Sequence, residues 1–320
     1  MQTVLNLCRQ LNIKVMERAA LADYTTFRLG GACRRMYHCH TPDQIQQLVS
    51  VLQQTAAVFV VVGGGSNLLV SDHGLEGDVI RYCSPSPHIE RHANRLVASA
   101  STPTDDLARF SAEQGLRGLE FLTGIYGTIG GAISGNAGAF GRQISDCLHS
   151  VFLCDRHGHM RHMLSQQLGF CYRDSNLKSS GDIIISARFD LTPADPVSLL
   201  NERGEVLNLR RRKHPDIKQL PSAGSIFRNL APSNSNDRRQ AVGWFLEQAG
   251  AKTLRRGGAR VFERHANIIV TDPQAVAQDV YDLIQAMKDC VKQRFDLDLV
   301  REIRFAGRFE DAQNPLALIW

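Results

Sequence analysis

Hydrophobic positions along the chain alternate between helical and strand periods, so the pattern predicts a mixed fold of helices and strands. Thr41 and Pro42 are a capping residue and a first-turn proline. Behind them Ile45, Leu48, Val49 and Leu52 recur at helical spacing. Residues 58–62 form a short, wholly apolar strand that runs straight into Gly63, Gly64, Gly65, Ser66 and Asn67. A glycine loop at the carboxyl end of a strand is where open α/β sheets bind ligands. Thr102 and Pro103 open a second helix, with Leu107 and Phe110 on one face and Gly115 at its end. Residues 151–164 read as two strands around a turn at Gly158, and 183–191 as a buried strand; Pro193 and Pro196 mark a boundary. In the last third, 242–248 is a short helix stopped by Gly250, and 267–271 is a strand. Asp272 and Pro273 open a long helix striped by Val276, Val280, Leu283, Ile284 and Met287. A final strand at 299–305 puts Glu302 on one face with Val300 and Arg304.

Size and composition narrow this picture. A chain of 320 residues with 43% hydrophobic and 22% charged residues is a folded protein of two or three domains. No apolar run reaches 18 residues, and the first residues lack the blocks of a secretory signal, so a cytoplasmic protein is expected, without a membrane partner. Eight cysteines without a CxxC pair read as reduced thiols. The net charge of +5 suits anionic ligands but is too small to imply nucleic acid. Arg210, Arg211, Arg212 and Lys213 are either a phosphate patch or a solvated element end, and the second reading is preferred. His157, His159 and His162 straddle a turn, where histidines are solvated, and no metal is expected.

Two segments carry the candidate chemistry. The loop from Gly63 to Asn67 offers backbone N–H groups that converge on a phosphate, but it fits neither a dinucleotide fingerprint nor a P-loop, since Leu68 follows it. Alone it is either a phosphate nest or a tight turn. Residues 124–141 hold seven glycines in 18 positions, including Gly124, Gly127, Gly130, Gly131 and Gly138, with Thr128, Asn136 and Ala137 among them. Such density weakens regular structure by about 0.5–1 kcal/mol per residue, so backbone there is expected to lie against something flat or charged. Two separated glycine loops suit a long ligand with a central pyrophosphate, and FAD fits that description. Three reactive candidates follow. Arg173, after Tyr172, is either a fixed cation beside developing negative charge or half of a surface ion pair. Ser225, beside Gly224, is either a hydroxyl for proton transfer or a turn serine. Glu302 is either a working carboxyl or paired with an arginine.

Taken together these motifs resemble the UDP-N-acetylenolpyruvoylglucosamine reductases, the UDP-N-acetylmuramate dehydrogenases of bacterial cell-wall synthesis. The resemblance runs from about Thr25 to Gly307, through residues 26–31, 61–69, 124–141, 172–175, 221–229, 257–259, 265–270 and 302–304. It implies an α+β fold of the vanillyl-alcohol-oxidase (PCMH) type: two FAD-binding lobes, expected at 1–75 and 76–193 with the FAD region at about 23–193, then a C-terminal α/β substrate domain at 194–320. It implies a monomeric oxidoreductase with non-covalent FAD and NADPH as co-substrate, reducing UDP-N-acetylglucosamine enolpyruvate for peptidoglycan synthesis, and so serving cell shape and division. Gly63 to Asn67, Gly124, Gly127, Thr128, Gly130, Gly131, Asn136, Ala137 and Gly138 would hold the cofactor. By the same resemblance Arg173 and Glu302 flank the reacting group, Ser225 supplies a proton, and Tyr172, Arg228, Asn229, Arg256 and His265 contact substrate. Tyr126 stands where proline is usual, Arg228 where lysine is usual, and residues 231–239 look like a polar insertion. The lack of a tyrosine-bearing loop points to the shorter subclass, with Arg255, Arg256 and Gly257 as substitutes. An alcohol or hydroxyacid oxidase of the same fold, or a silent flavin binder, is disfavoured by Arg173, Ser225 and Glu302 occurring together.

Overall fold

The computed structural model describes residues 2–84, 88–232 and 239–310. The chain groups into two compact units built from interleaved segments. One comprises Met1–Arg18, Arg34–Gly64 and Gly77–Leu209, the other Ala19–Cys33, Gly65–Glu76 and Arg210–Trp320. Of the polar stretch 231–239, residues 233–238 lie outside the described residues.

In the first unit, helix Pro42–Gln54 starts with a capping box in which the Gln44 N–H donates to Thr41 Oγ1 and the Thr41 N–H to Gln44 Oε1. Its buried face, Ile45, Leu48, Val49 and Leu52, packs into a core with Val4, Cys8, Tyr37 and Ile80. A four-stranded sheet runs in the order Lys14–Glu17, Cys33–Cys39, Leu75–Tyr82, Phe59–Val62. Asp78 is fully buried in that sheet, which is tolerable only because its carboxylate is matched. Arg34 Nε lies at 2.7 Å, the Tyr37 hydroxyl donates at 3.1 Å, and Arg35 stands 3.7 Å away. Burial, with the Asp78 charge adding to it, pushes the Tyr37 hydroxyl up to about 12, so it remains a donor.

A second, antiparallel sheet of five strands runs Met160–Leu164, Leu148–Cys154, Ile183–Asp190, Arg95–Ser99, Ile89–His92. The expected hairpin around Gly158 is its first pair. Helix Thr104–Glu113 begins one residue past the expected start, with Pro103 as its cap. Helix Pro196–Lys213 is an element the pattern does not predict, because only Leu199 on it is buried and no apolar stripe announces it. It is held instead by ion pairs: Arg117 grips Glu202 at 2.6 Å and Arg203 grips Asp105 at 2.7 Å. The basic run Arg210 to Lys213 is its last turn, where cations suit the helix dipole.

The second unit has a three-stranded antiparallel sheet, Arg255–Arg256, Ala259–Phe262, His265–Thr271. The long helix Ala277–Phe295 buries Val280, Leu283, Ile284, Met287 and Val291 against its core. It begins later than Asp272 and Pro273 suggest. Its first N–H groups, of Ala277 and Gln278, are capped by the Asp72 carboxylate at 2.8 and 3.0 Å. The expected strand at 299–305 shortens to Arg304–Ala306, paired in parallel with Leu68–Val70. Glu302 therefore precedes the strand, in an irregular stretch joined by the single bridge Phe227–Arg301, and simple alternation does not describe its face. No helix among the described residues is long and apolar enough to cross a membrane.

Removing the buried carboxylate would leave Arg35 and Tyr37 without their partner. Asp78→Ala is expected to lower unfolding stability by about 3–5 kcal/mol, read as a lower urea midpoint at unchanged slope.

Candidate active site

The two glycine-rich segments meet. An added Cβ on Gly64 would stand 2.8 Å from the Gly127 Cα, so two backbones touch there, and Gly127 itself sits at φ +124°, a conformation that L side chains rarely adopt. Thr128 caps helix Ile129–Ser134 by accepting the Gly131 N–H at 3.4 Å. The Gly130 N–H hooks that helix to the Ala100 carbonyl, and the Ala100 N–H is bound in turn by Ile185 of the five-stranded sheet. From the other side the Gly124 N–H donates to Asp105 at 2.6 Å. Burial alone would raise Asp105, but Arg203 and this N–H hold it below the usual carboxylate range. Part of the glycine density therefore serves close packing within the chain. Gly131 is different: it is exposed, and a Cβ there would meet nothing nearer than Thr128 Oγ1 at 3.7 Å. Packing among the described residues does not explain a glycine at that helical position, which leaves Gly131 a candidate for contact with a ligand.

Beyond this helix, Ala137 and Gly138 turn into a short hairpin with Gln143. Asn136, expected at the cofactor, is fully buried with φ at +43°. Its amide donates to Gln143 Oε1 and, at 2.8 Å, to the Cys171 carbonyl, while its oxygen accepts the Ser145 N–H. These bonds engage it with protein, tying the glycine helix to the turn that carries Tyr172 and Arg173. Ser175 adds a second tie through the Ser134 carbonyl at 2.7 Å. In that turn Cys171 and Asp174 exchange backbone bonds, and Arg173 sits at φ +59°. A left-handed arginine costs about 1–2 kcal/mol and is kept where surrounding structure fixes it. Lys178 Nζ holds its carbonyl, and the guanidinium lies 5.5 Å from the Tyr172 ring centroid.

In the second unit, Gly65 has φ +61°, and a Cβ would fall 1.9 Å from the Tyr24 carbonyl oxygen. Its own carbonyl accepts the Thr26 N–H, and Thr26 Oγ1 is buried with no hydrogen-bond partner among the described residues. That orphaned hydroxyl, missed by sequence reasoning, fits a ligand above the loop formed by Gly65, Ser66 and Asn67. Asn67 also bonds within the chain. Its side-chain amide donates to the Glu302 carbonyl at 3.3 Å, and its own carbonyl accepts the Arg304 N–H at 3.0 Å. The glycine loop thus brackets Glu302. The Glu302 N–H donates at 2.7 Å to Ile226, the residue after Ser225. Ser225 follows Gly224, at φ +74°, and bridges Ile268 on the other side. Nearby Ser222 spends its hydroxyl on the Ile269 carbonyl at 2.7 Å, whereas no described residue bonds the Ser225 hydroxyl.

The expected substrate residues are less uniform. Arg228 lies in the Ser225 segment, its N–H on the Val300 carbonyl. Asn229 accepts the Val242 N–H on its side-chain oxygen, at the start of helix Val242–Gln248. Arg256 is exposed on the outer hairpin strand. His265 packs 5.7 Å from His214, and burial lowers both imidazoles, His214 to about 4, so both are neutral near pH 7.

The family model for the C-terminal domain of UDP-N-acetylenolpyruvoylglucosamine reductase matches residues 215–306, and one for an FAD binding domain matches residues 34–164. The chain is 33% identical to the UDP-N-acetylenolpyruvoylglucosamine reductase of Lactobacillus acidophilus over 95% of this chain and 99% of that one. With the same-named protein of a Synechococcus species it shares 37% identity over 94% of each. The crystal structure of UDP-N-acetylenolpyruvylglucosamine reductase from Thermus caldophilus matches with a TM-score of 0.76 at 31% identity, over 92% of this chain and 99% of that one.

Alanine at position 131 separates the ligand from the chain's own packing. In the flavin-free protein Gly131→Ala should be neutral or stabilising by up to about 1 kcal/mol. Flavin content, read from visible absorbance, should nevertheless fall, whereas unchanged content would remove Gly131 from the cradle.

Proposed function

This chain belongs to the UDP-N-acetylenolpyruvoylglucosamine reductases, FAD-binding oxidoreductases of peptidoglycan precursor synthesis, and from that premise we propose that it uses NADPH to reduce UDP-N-acetylglucosamine enolpyruvate to UDP-N-acetylmuramate. The segments around Gly64 and Gly127 would hold FAD, which would supply the hydride, drawn from NADPH, for the methylene carbon of the enolpyruvyl ether.

The chain's own residues handle charge and proton. Hydride addition to an unsaturated carboxylate builds an enolate-like dianion, which needs fixed positive charge and a proton source. Arg173 is the fixed cation, its backbone held left-handed and its carbonyl tied by Lys178. Glu302 helps an anion only as a protonated carboxyl that donates a hydrogen bond, and its backbone is held on both sides by Asn67 and Ile226. Ser225 gives its hydroxyl proton to the carbon next to the new methyl group, completing the lactyl ether. A serine hydroxyl is a weak acid, and it serves here because the carbanion is a far stronger base. The observation that carries this reading is the contrast between Ser222, whose hydroxyl is used by the fold, and Ser225, whose hydroxyl no described residue bonds. Arg228 and Arg256 would meet the anionic parts of the nucleotide sugar. The reading carries with it a monomeric, cytoplasmic enzyme that works without nucleic acid or membrane.

The purified protein should be yellow, with NADPH oxidation that depends on the enolpyruvyl nucleotide. In Ser225→Ala, flavin reduction by NADPH should stay within about twofold, while reoxidation by substrate falls by about 10²–10⁴-fold. Loss of the first half-reaction instead would make Ser225 a structural residue.

A further inference from the structure

We propose that Asn267 is a positioning residue for proton delivery, its side-chain amide fixing the backbone on which Ser225 sits; this rests on the reading of Ser225 as proton donor. Asn267 is almost wholly buried on strand His265–Thr271. Backbone pairing joins that strand to the serine segment where the Thr271 N–H donates to the Pro221 carbonyl at 3.2 Å and at the Ser225–Ile268 bridge, where the Ile226 N–H donates to the Asn267 carbonyl at 2.9 Å. At the next residue the side chain takes over. Asn267 Oδ1 accepts the Phe227 N–H at 2.9 Å, and Nδ2 donates to the Phe227 carbonyl at 2.8 Å.

One planar amide thus stands in for a strand neighbour, satisfying a donor and an acceptor of the same residue. The backbone N–H of Asn267 is itself taken by His265 Nδ1 at 3.2 Å, so His265 buttresses the clamp. On its opposite edge the clamped segment carries the Phe227–Arg301 bridge and the bond from the Glu302 N–H to Ile226. Asn267 therefore sets the backbone that runs from Ser225 to the neighbour of Glu302. Alanine would leave both polar groups of Phe227 bare in a buried place and release the segment. Serine would satisfy only one of them.

Stopped-flow spectroscopy on the flavin-loaded enzyme tests this. In Asn267→Ala, flavin reduction by NADPH should remain within about twofold of the parent. Reoxidation by the enolpyruvyl nucleotide should slow by about 100-fold, the effect of a donor displaced by about 1 Å, with a larger solvent isotope effect as proton transfer becomes limiting. Asn267→Ser should fall between the two, and it serves alone if the alanine protein does not fold. Parallel loss of both half-reactions, or unchanged reoxidation, overturns the proposal. Normal reoxidation in Ser225→Ala would sink the serine reading itself. Slow reoxidation there with a normal Asn267→Ala enzyme would sink only the clamp.

Discussion

The rest of the first unit's site depends on two backbones that approach too closely for side chains, at Gly64 and Gly127. The contact joins the end of strand Phe59–Val62 to the turn that opens helix Ile129–Ser134. Around it the turns are held by groups of quite different kinds. Asp105 grips Gly124 from outside and is itself fixed by Arg203, while the five-stranded sheet anchors Gly130 through Ala100. What results is a glycine-rich turn and helix start whose backbone N–H groups at Gly124, Gly130 and Gly131 are engaged by the chain itself, so that its shape is fixed before any ligand arrives.

Both units use asparagine where regular pairing stops. Asn136 ties a helix end to the Arg173 turn, Asn67 brackets Glu302, and Asn267 clamps Phe227. A regular strand would direct its hydrogen bonds along the ladder. Where the ladder is interrupted near Ser225 and Glu302, a neutral amide repairs the gap with both a donor and an acceptor. It does so without adding a charge that would compete with the one developing in the reaction.

Much of this is legible in the sequence. Local signals give the capped helix Pro42–Gln54, the hairpin around Gly158 and the short helix Val242–Gln248, because periodicity, caps and turn residues lie close together along the chain. Helix Pro196–Lys213 escapes, since ion pairs rather than an apolar stripe hold it. The start of helix Ala277–Phe295 is misplaced by local signals because its cap, Asp72, is distant in sequence. The candidate residues themselves can be named from motifs, but their partners cannot. Nothing in the order of residues says that Asn136 faces Cys171, or that Asn67 lies beside Glu302, since each contact joins segments that only the fold brings together.

The pairing of Leu68–Val70 with Arg304–Ala306 has a consequence for the chain as it is made. The first strand leaves the ribosome early, all three of its residues destined for burial, and its partner is among the last described residues to appear. The Asp72 carboxylate waits similarly for the helix it caps. For most of synthesis, then, a bare apolar strand travels with the nascent chain, the kind of exposed edge that invites association with other chains. The second unit closes late, and its yield in a cell is set as much by protection during that interval as by the stability of the finished fold.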